Sequence, residues 1–305
     1  MRVDVIVRTK DRPRFLGRAL DSVLAQTHED WRLILINDGG DPAAVDSVAS
    51  PRRQALGERL LRIDNATSVN MAAAFNQAFA AGDAPLVACH DDDDSWHPEF
   101  LARSLAALAG FTHFPVAGCA CATVLVEEEL QGDALVELDR RWFSGKPKGL
   151  LSLPEVLLSN ESVTTNSMLL KREVLAALGG YDESLPVLQD WELLVRLLLE
   201  HDLLTFEDEL AHYHVRRLTG NEAAANSDAQ VGHRTFIEWL YNRWTRLGIS
   251  GEHPGLGQAA AIARMLRRVR EQGDAALDRQ RDAILKNSCS ARTWAGRVRR
   301  LWKKG

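Results

Sequence analysis

Four consecutive aspartates, Asp91-Asp92-Asp93-Asp94, follow the apolar run Leu86-Val-Ala-Cys89. Two carboxylates about 4 Å apart repel by roughly 4 kcal/mol at an effective dielectric near 20. Four in a row at a strand end therefore ask for a counter-charge, most simply a divalent cation. Carboxylate oxygens suit Mg²⁺ or Mn²⁺, held by one or two side chains together with phosphate oxygens of a ligand. A solvated turn in which Asp94 or Ser95 caps the helix near Pro98 uses one or two of these residues and leaves the rest unexplained. A second acidic position, Asp190 in Gln189-Asp-Trp-Glu192, opens a helical pattern with Leu193, Leu194, Leu197 and Leu198 on one face. An aspartate there serves either as a helix cap or as a base in a site. His212-Tyr-His214-Val-Arg216-Arg217 adds imidazole and guanidinium groups that can pair with phosphate or remain a hydrated basic turn.

These groups need elements to hold them, and the first hundred residues alternate apolar runs with helical patterns. Val3-Asp-Val-Ile-Val7 reads as a strand ending in Thr9-Lys-Asp-Arg-Pro13, where Asp11 can cap a helix with Pro13 in its first turn. Phe15, Leu16, Ala19, Leu20, Val23 and Leu24 share one face of that helix. A second strand, Leu33 to Ile36, runs into Asn37-Asp38-Gly39-Gly40; a helix over 70–81 leads to a third strand, 86–89. Apolar, non-alternating strands joined by helices predict a parallel sheet with right-handed crossovers. Ligands of such sheets bind beyond the carboxyl ends of the strands, where all three runs turn polar. Further on, 116–126 and 162–170 read as strands and 171–178 as a helix closed by Gly179-Gly180. From about Asn226 the pattern is helical only, with a break over 248–257.

The chain resembles the family 2 glycosyltransferases over roughly residues 1–217. The resemblance rests on Val5-Ile-Val-Arg-Thr9 with Arg12-Pro13, Ser22-Val-Leu-Ala-Gln-Thr27, Ile36-Asn-Asp-Gly39, Asp91-Asp-Asp-Asp-Ser-Trp-His-Pro98, Gly179-Gly-Tyr-Asp182 and Gln189-Asp-Trp-Glu192. Each piece is weak alone; their order and spacing are specific. It implies an α/β GT-A fold: a Rossmann-like, mostly parallel sheet flanked by helices, here over 1–217, with a helical C-terminal extension over 218–305. It implies nucleotide contacts at Thr9 and Asp38, and Asp38 suits the imide N–H of uracil or thymine; the alternative is a turn residue before two glycines. Asn37 and Gly40 stand where Asp and Ser are commoner. The family's Asp-x-Asp element maps onto Asp91, near the ribose or a metal-bound water, and Asp93, the metal ligand, with Asp92 as a substitute one residue away.

Asp190 matches the family's catalytic base, which takes the acceptor hydroxyl proton in inverting transfer. Gln189 replaces the commoner Glu before it, Glu192 is the second candidate, and Trp191 either walls the sugar pocket or fills the core. His214 and Arg216, with Arg217 beside them, fall where relatives place a loop that closes on the diphosphate. Thr164, Thr165 and Asn166 fall near the acceptor by analogy. The implied activity moves a sugar from a nucleoside-diphosphate donor to a hydroxyl of a glycan or lipid-linked glycan, in surface polysaccharide synthesis.

Net charge is −5, unevenly placed. Residues 251–305 hold 13 Lys+Arg against 5 Asp+Glu, and the rest hold 24 against 37. Trp294, Val298, Leu301 and Trp302 share a helical arc, with Arg299, Arg300, Lys303 and Lys304 elsewhere. That arrangement suits an anionic membrane surface, or packing on the catalytic domain or a second subunit, as in a homodimer. No nucleic-acid motif accompanies the charge. The start, Met1 to Lys10, does not read as a signal peptide, and no run of 18 apolar residues occurs. Cys89, Cys119, Cys121 and Cys289 have no paired or zinc-finger spacing, which fits buried thiols of a cytoplasmic chain peripheral to the inner membrane face. A nucleotidyltransferase would carry a glycine-rich basic loop after the first strand, which Thr9 to Pro13 lacks. A non-catalytic binding module would have no need of a base at Asp190.

Overall fold

Val3-Asp-Val-Ile-Val-Arg-Thr9 has β-branched residues at five of its seven positions and buries both faces, the signature of a central strand. In the computed structural model, which describes residues 1–132, 134–144, 147–216, 230–253 and 255–274, it is β1 (Val3–Thr9). It is followed by α1 (Pro13–Leu24), β2 (Trp31–Asp38), α2 (Pro42–Ala49), α3 (Arg53–Leu56), β3 (Leu60–Asn65), α4 (Met71–Ala81) and β4 (Leu86–Asp91). Val3, Val5 and Val7 pack with Leu16 and Leu20 of α1, whereas Ile6 packs with Ala74, Phe75 and Ala78 of α4. The alternation of the strand thus places a helix on each face.

The strand order is β3-β2-β1-β4, all parallel. The chain builds outward from β1 to β3 and then crosses to β4 on the other side of β1. That reversal opens a crevice at the carboxyl ends of β1 and β4.

The second half comprises β5 (Ser95–Trp96), α5 (Phe100–Gly110), β6 (Gly118–Gln131), β7 (Ala134–Trp142) and β8 (Gly149–Leu150). It continues through α6 (Leu153–Leu158), β9 (Met168–Lys171), α7 (Arg172–Ala177), α8 (Gln189–Glu200) and β10 (Leu203–Arg216). Here the sheet is mixed. β9 runs antiparallel between β4 and β6, β10 lies parallel to β6, and β5 closes the edge antiparallel to β10. β6 approaches β9 so closely at Gly118 that a Cβ there would lie 2.2 Å from the Leu169 carbonyl.

Asp11 does not cap α1. The cap position is Arg12, without a side-chain bond, because Asp11 lies one residue too early. It adopts φ +54° and accepts the Asp41 N–H at 3.1 Å, tying the loop after β1 to the loop after β2. Asn70 caps α4 through the Ala73 N–H at 2.9 Å, in line with the predicted start.

The chain divides into two compact units, Met1–Leu240 and Tyr241–Gly305. The helical pattern of the C-terminal extension appears as α9 (Gln230–Ser250) and a helix over 255–274. The break between them brings Gly248 against Gly257, where a Cβ on the first would lie 2.4 Å from the second's backbone N. The expected boundary near residue 217, Arg217, Cys289 and the tail 294–304 lie outside the described residues.

Candidate active site

Thr9 ends β1 and Asp91 ends β4, so the switch in strand order sets them side by side. Thr9 Oγ1 donates to Asp92 Oδ2 at 2.7 Å. The cleft above this edge has a volume of about 690 Å³ and brings together Thr9, Asp38, Asp91, Asp92, Asp93, Thr165 and Asp190.

The acidic run is folded among arginines. Arg8 donates to Asp91 at 2.7 Å, Arg12 to Asp93 Oδ2 at 3.1 Å, and Arg216 to the same oxygen at 2.5 Å. Asp94 points inward instead, accepting from Asn166 Nδ2 at 2.7 Å and the His214 N–H at 3.0 Å. The repulsion among the carboxylates is thus already answered by guanidinium groups, and by itself no longer demands a cation. Burial, with Asp93 alongside, pushes the Asp92 carboxyl up to about 7, and burial pushes Asp94 above the usual carboxylate range.

The same geometry is compatible with a metal. Both charged bonds on Asp93 fall on Oδ2, and among the described residues no donor reaches Oδ1. No group of three His, Cys, Asp or Glu side chains converges among those residues. Mg²⁺ and Mn²⁺ ask for no such cage, since one or two carboxylates and substrate phosphates suffice. The hard oxygen set at Asp93 and Asp91 fits that type of ion.

Asp38 closes the other end of the crevice. Its oxygens accept the Val69 N–H at 2.8 Å, Asn65 Nδ2 at 3.0 Å and Ser68 Oγ at 2.7 Å. Burial opposes its charge, yet these donors hold the carboxyl below its usual range. Asn37 brackets the turn, donating to the Gly40 carbonyl and accepting its N–H. Gly39 has φ +76°, and a Cβ there would stand 2.3 Å from the Ser68 backbone N, so only glycine fits.

Asp190 occupies the first turn of α8, whose cap position is Leu188, so Asp190 is not the cap. It faces the cleft, with Asn160 Nδ2 at 3.3 Å from Oδ2. Glu192, two residues on, is buried and chelated by Arg196 at 2.7–2.9 Å, and does not line the cleft. Arg196 also donates to the carbonyl of Gly180, so this pair fixes the Gly179-Gly180 turn. Trp191 likewise does not wall the pocket: it is fully buried and its indole N–H donates to the Val156 carbonyl at 2.6 Å. Adjacent positions on a helix point about 100° apart, which sends Trp191 into the core and leaves Asp190 in the cleft.

His214 and Arg216 are not on a loop. They belong to β10, a 14-residue strand, and alternate inward. His214 meets Ser95 Oγ at 2.8 Å and Glu128 Oε1 at 2.7 Å, and burial lowers its imidazole's proton affinity. It supports the acidic loop from behind rather than lining the cleft. Arg216 stacks on Phe15 at 4.2 Å and reaches the site through Asp93. Thr164, Thr165 and Asn166 all line the cleft; Thr164 Oγ1 donates to Asn166 Oδ1, and Asn166 Nδ2 donates on to Asp94 Oδ2 at 2.7 Å.

Sequence reasoning missed Arg8, Arg18, Glu128 and Asn160 as members of the site. Arg8 and Arg12 flank Thr9 within the motif after β1, which was signal enough; nothing local marked Glu128 or Asn160.

Residues 4–131 match the model of the family described as glycosyl transferase family 2. An uncharacterized glycosyltransferase of Nostoc sp. is 36% identical over 103 residues, 34% of this chain and 31% of that protein. The O-antigen biosynthesis protein RfbC of Myxococcus xanthus is 27% identical over 78% of this chain and 19% of its own length. The chain spans about a third of the length of the Nostoc relative and 42% of that of EpsE of Bacillus subtilis. Among solved structures, S. aureus TarS in complex with UDP-GlcNAc superposes with a TM-score of 0.62 at 15% identity, covering 86% of this chain and 71% of that one. The mannosyltransferase PcManGT of Pyrobaculum calidifontis, in complex with GDP-Man and Mn²⁺, gives 0.51 at 17%, covering 90% and 79%. The fold of this chain is the one those glycosyltransferases have.

Proposed function

We propose, from the match of residues 4–131 to the glycosyl transferase family 2 model, that this chain transfers a sugar from a nucleoside-diphosphate donor to a glycan or lipid-linked glycan hydroxyl with inversion. The observation that carries this reading is one cleft holding the acidic run at one end of β4 and Asp190 facing it from α8. TarS and PcManGT were crystallised with UDP-GlcNAc and GDP-Man, which supports a nucleotide-sugar donor here. The polysaccharide setting is supported by the likeness to an O-antigen biosynthesis protein.

Thr9 and Asp38 would bound the nucleoside, and Arg8 and Arg12 would offer guanidinium groups to the diphosphate as it takes up charge. Asp93, with Asp91 near it, would hold a divalent ion through Oδ1. Such an ion supplies charge neutralisation for the departing nucleoside diphosphate. Asp190 would take the acceptor hydroxyl proton, and Asn160 would keep its carboxylate turned to the cleft. Thr165 is the acceptor-side contact. The basic tail would meet an anionic membrane surface from the cytoplasmic side; no described helix is long and apolar enough to cross a membrane.

The test is calorimetric titration with UDP, GDP and dTDP, with Mn²⁺ and with chelator. One nucleotide is expected to bind only with the ion, and Asp93→Ala is expected to remove that dependence. Full binding in chelator sinks the metal role; no binding of any of the three sinks the donor class.

A further inference from the structure

Glu128 is the second of three glutamates near the end of β6, with nothing in the sequence to set it apart. The strand's alternation puts it on the face that Val124 and Val126 bury, and its side chain is only 6% exposed. A carboxylate in that position persists only if it is paired. Its Oε1 takes two partners, Arg18 Nη1 and His214 Nδ1, the latter at 2.7 Å. Each partner reaches on to the acidic loop. Arg18 Nη2 donates to the Asp93 carbonyl. The His214 N–H donates to Asp94 Oδ1 at 3.0 Å, and His214 Nε2 meets Ser95 Oγ at 2.8 Å.

Three successive residues, Asp93, Asp94 and Ser95, are therefore held by groups that converge on one buried carboxylate. We infer that Glu128 is a positioning residue for the acidic loop, fixing the backbone that aims Asp93 into the cleft. It touches no substrate; it acts through Arg18 and His214. The inference rests on the nucleotide-binding reading above and adds to it a residue on a strand remote from every motif. Preorganised ligands bind without the cost of ordering the loop, so loosening this anchor should weaken nucleotide capture rather than the sheet.

The experiment compares the full chain with Glu128→Gln, which keeps the volume and removes the charge. Hydrogen exchange on the ligand-free protein is expected to be at least about tenfold faster at amides 92–96, with β1 and β2 unchanged. The nucleotide that binds the wild type with Mn²⁺, among UDP, GDP and dTDP, is expected to bind at least about tenfold more weakly. Uniform acceleration, or none, overturns the inference, as does a locally loosened loop with undiminished nucleotide affinity. If Glu128→Gln does not fold, Glu128→Asp keeps the charge one methylene short; an intermediate loss of both readouts is expected, and wild-type values overturn it. A wild type that binds no nucleotide defeats the proposed function, while the exchange pattern still decides whether Glu128 sets the loop.

Discussion

At the scale of single residues, two positions along α8 separate chemistry from architecture. Asp190 faces the cleft and Glu192 is locked to Arg196, so the two carboxylates should fail differently when neutralised. Asp190→Asn keeps size and hydrogen bonding but removes the proposed base, and turnover is expected to fall by at least roughly 10²-fold. Nucleotide affinity should hardly move. Glu192→Gln should instead lower the melting temperature and leave turnover per folded molecule near wild type, because it strands a guanidinium that orders the Gly179-Gly180 turn. Steady-state kinetics beside thermal melts separate the two; an active Asp190→Asn would refute its role as base.

At the scale of elements, close approach is the exacting feature. Gly118→Ala puts a Cβ into the Leu169 carbonyl of β9, and backbone cannot turn aside as a side chain does. We expect a loss of about 3 kcal/mol in urea unfolding; a loss within error of zero would mean that β9 can slide on β6. The same contacts explain which elements were legible. β1, β2, β4, α1, α4 and α8 carry dense apolar patterns of one period, and their ends lie within two residues of expectation. β3 escaped because Arg62 and Asp64 interrupt it and no residue in it is fully buried. Residues 162–170 read as one strand but form a 3₁₀ turn at Thr165–Ser167 and then β9, since Asn166 leaves the ladder to hold Asp94. β10 hid behind Glu207-Asp208-Glu209, where its register to β6 shifts, so His214 and Arg216 were assigned to a loop. Thr9 and Asp38 end β1 and β2, Asp93 lies in the turn just past β4 and Asp190 opens α8, so each stands at an element boundary visible in the sequence; Glu128 and Asn160 matter only through partners 30 or more residues away.

At the scale of the whole molecule, buried histidine makes the fold sensitive to acid. His90 is fully buried, between Ser22 Oγ at 3.0 Å and the Asp91 carbonyl at 2.7 Å, and burial pushes it down to about 4 from 6.5. The unfolded chain therefore takes up this proton first. Its contribution is intact above about pH 6.5 and is lost as pH falls toward 4, where it amounts to roughly 3 kcal/mol. Asp92 and Asp94, held above the usual carboxylate range, run in the opposite sense over the same interval. Comparison with His90→Gln isolates the histidine: the variant's unfolding free energy should fall less between pH 7 and 4.5. Parallel curves would show that His90 titrates alike in both states.

The arginines folded around the acidic run bear on how fast an anion can arrive. Four aspartates at a cleft mouth would surround it with negative potential and repel a nucleoside diphosphate from a Debye length away. Arg8, Arg12 and Arg216 cancel that field at its source, and Lys10 lines the same cleft. An incoming diphosphate meets a mouth close to neutral, and association should neither be slowed at low ionic strength nor quicken as salt is added.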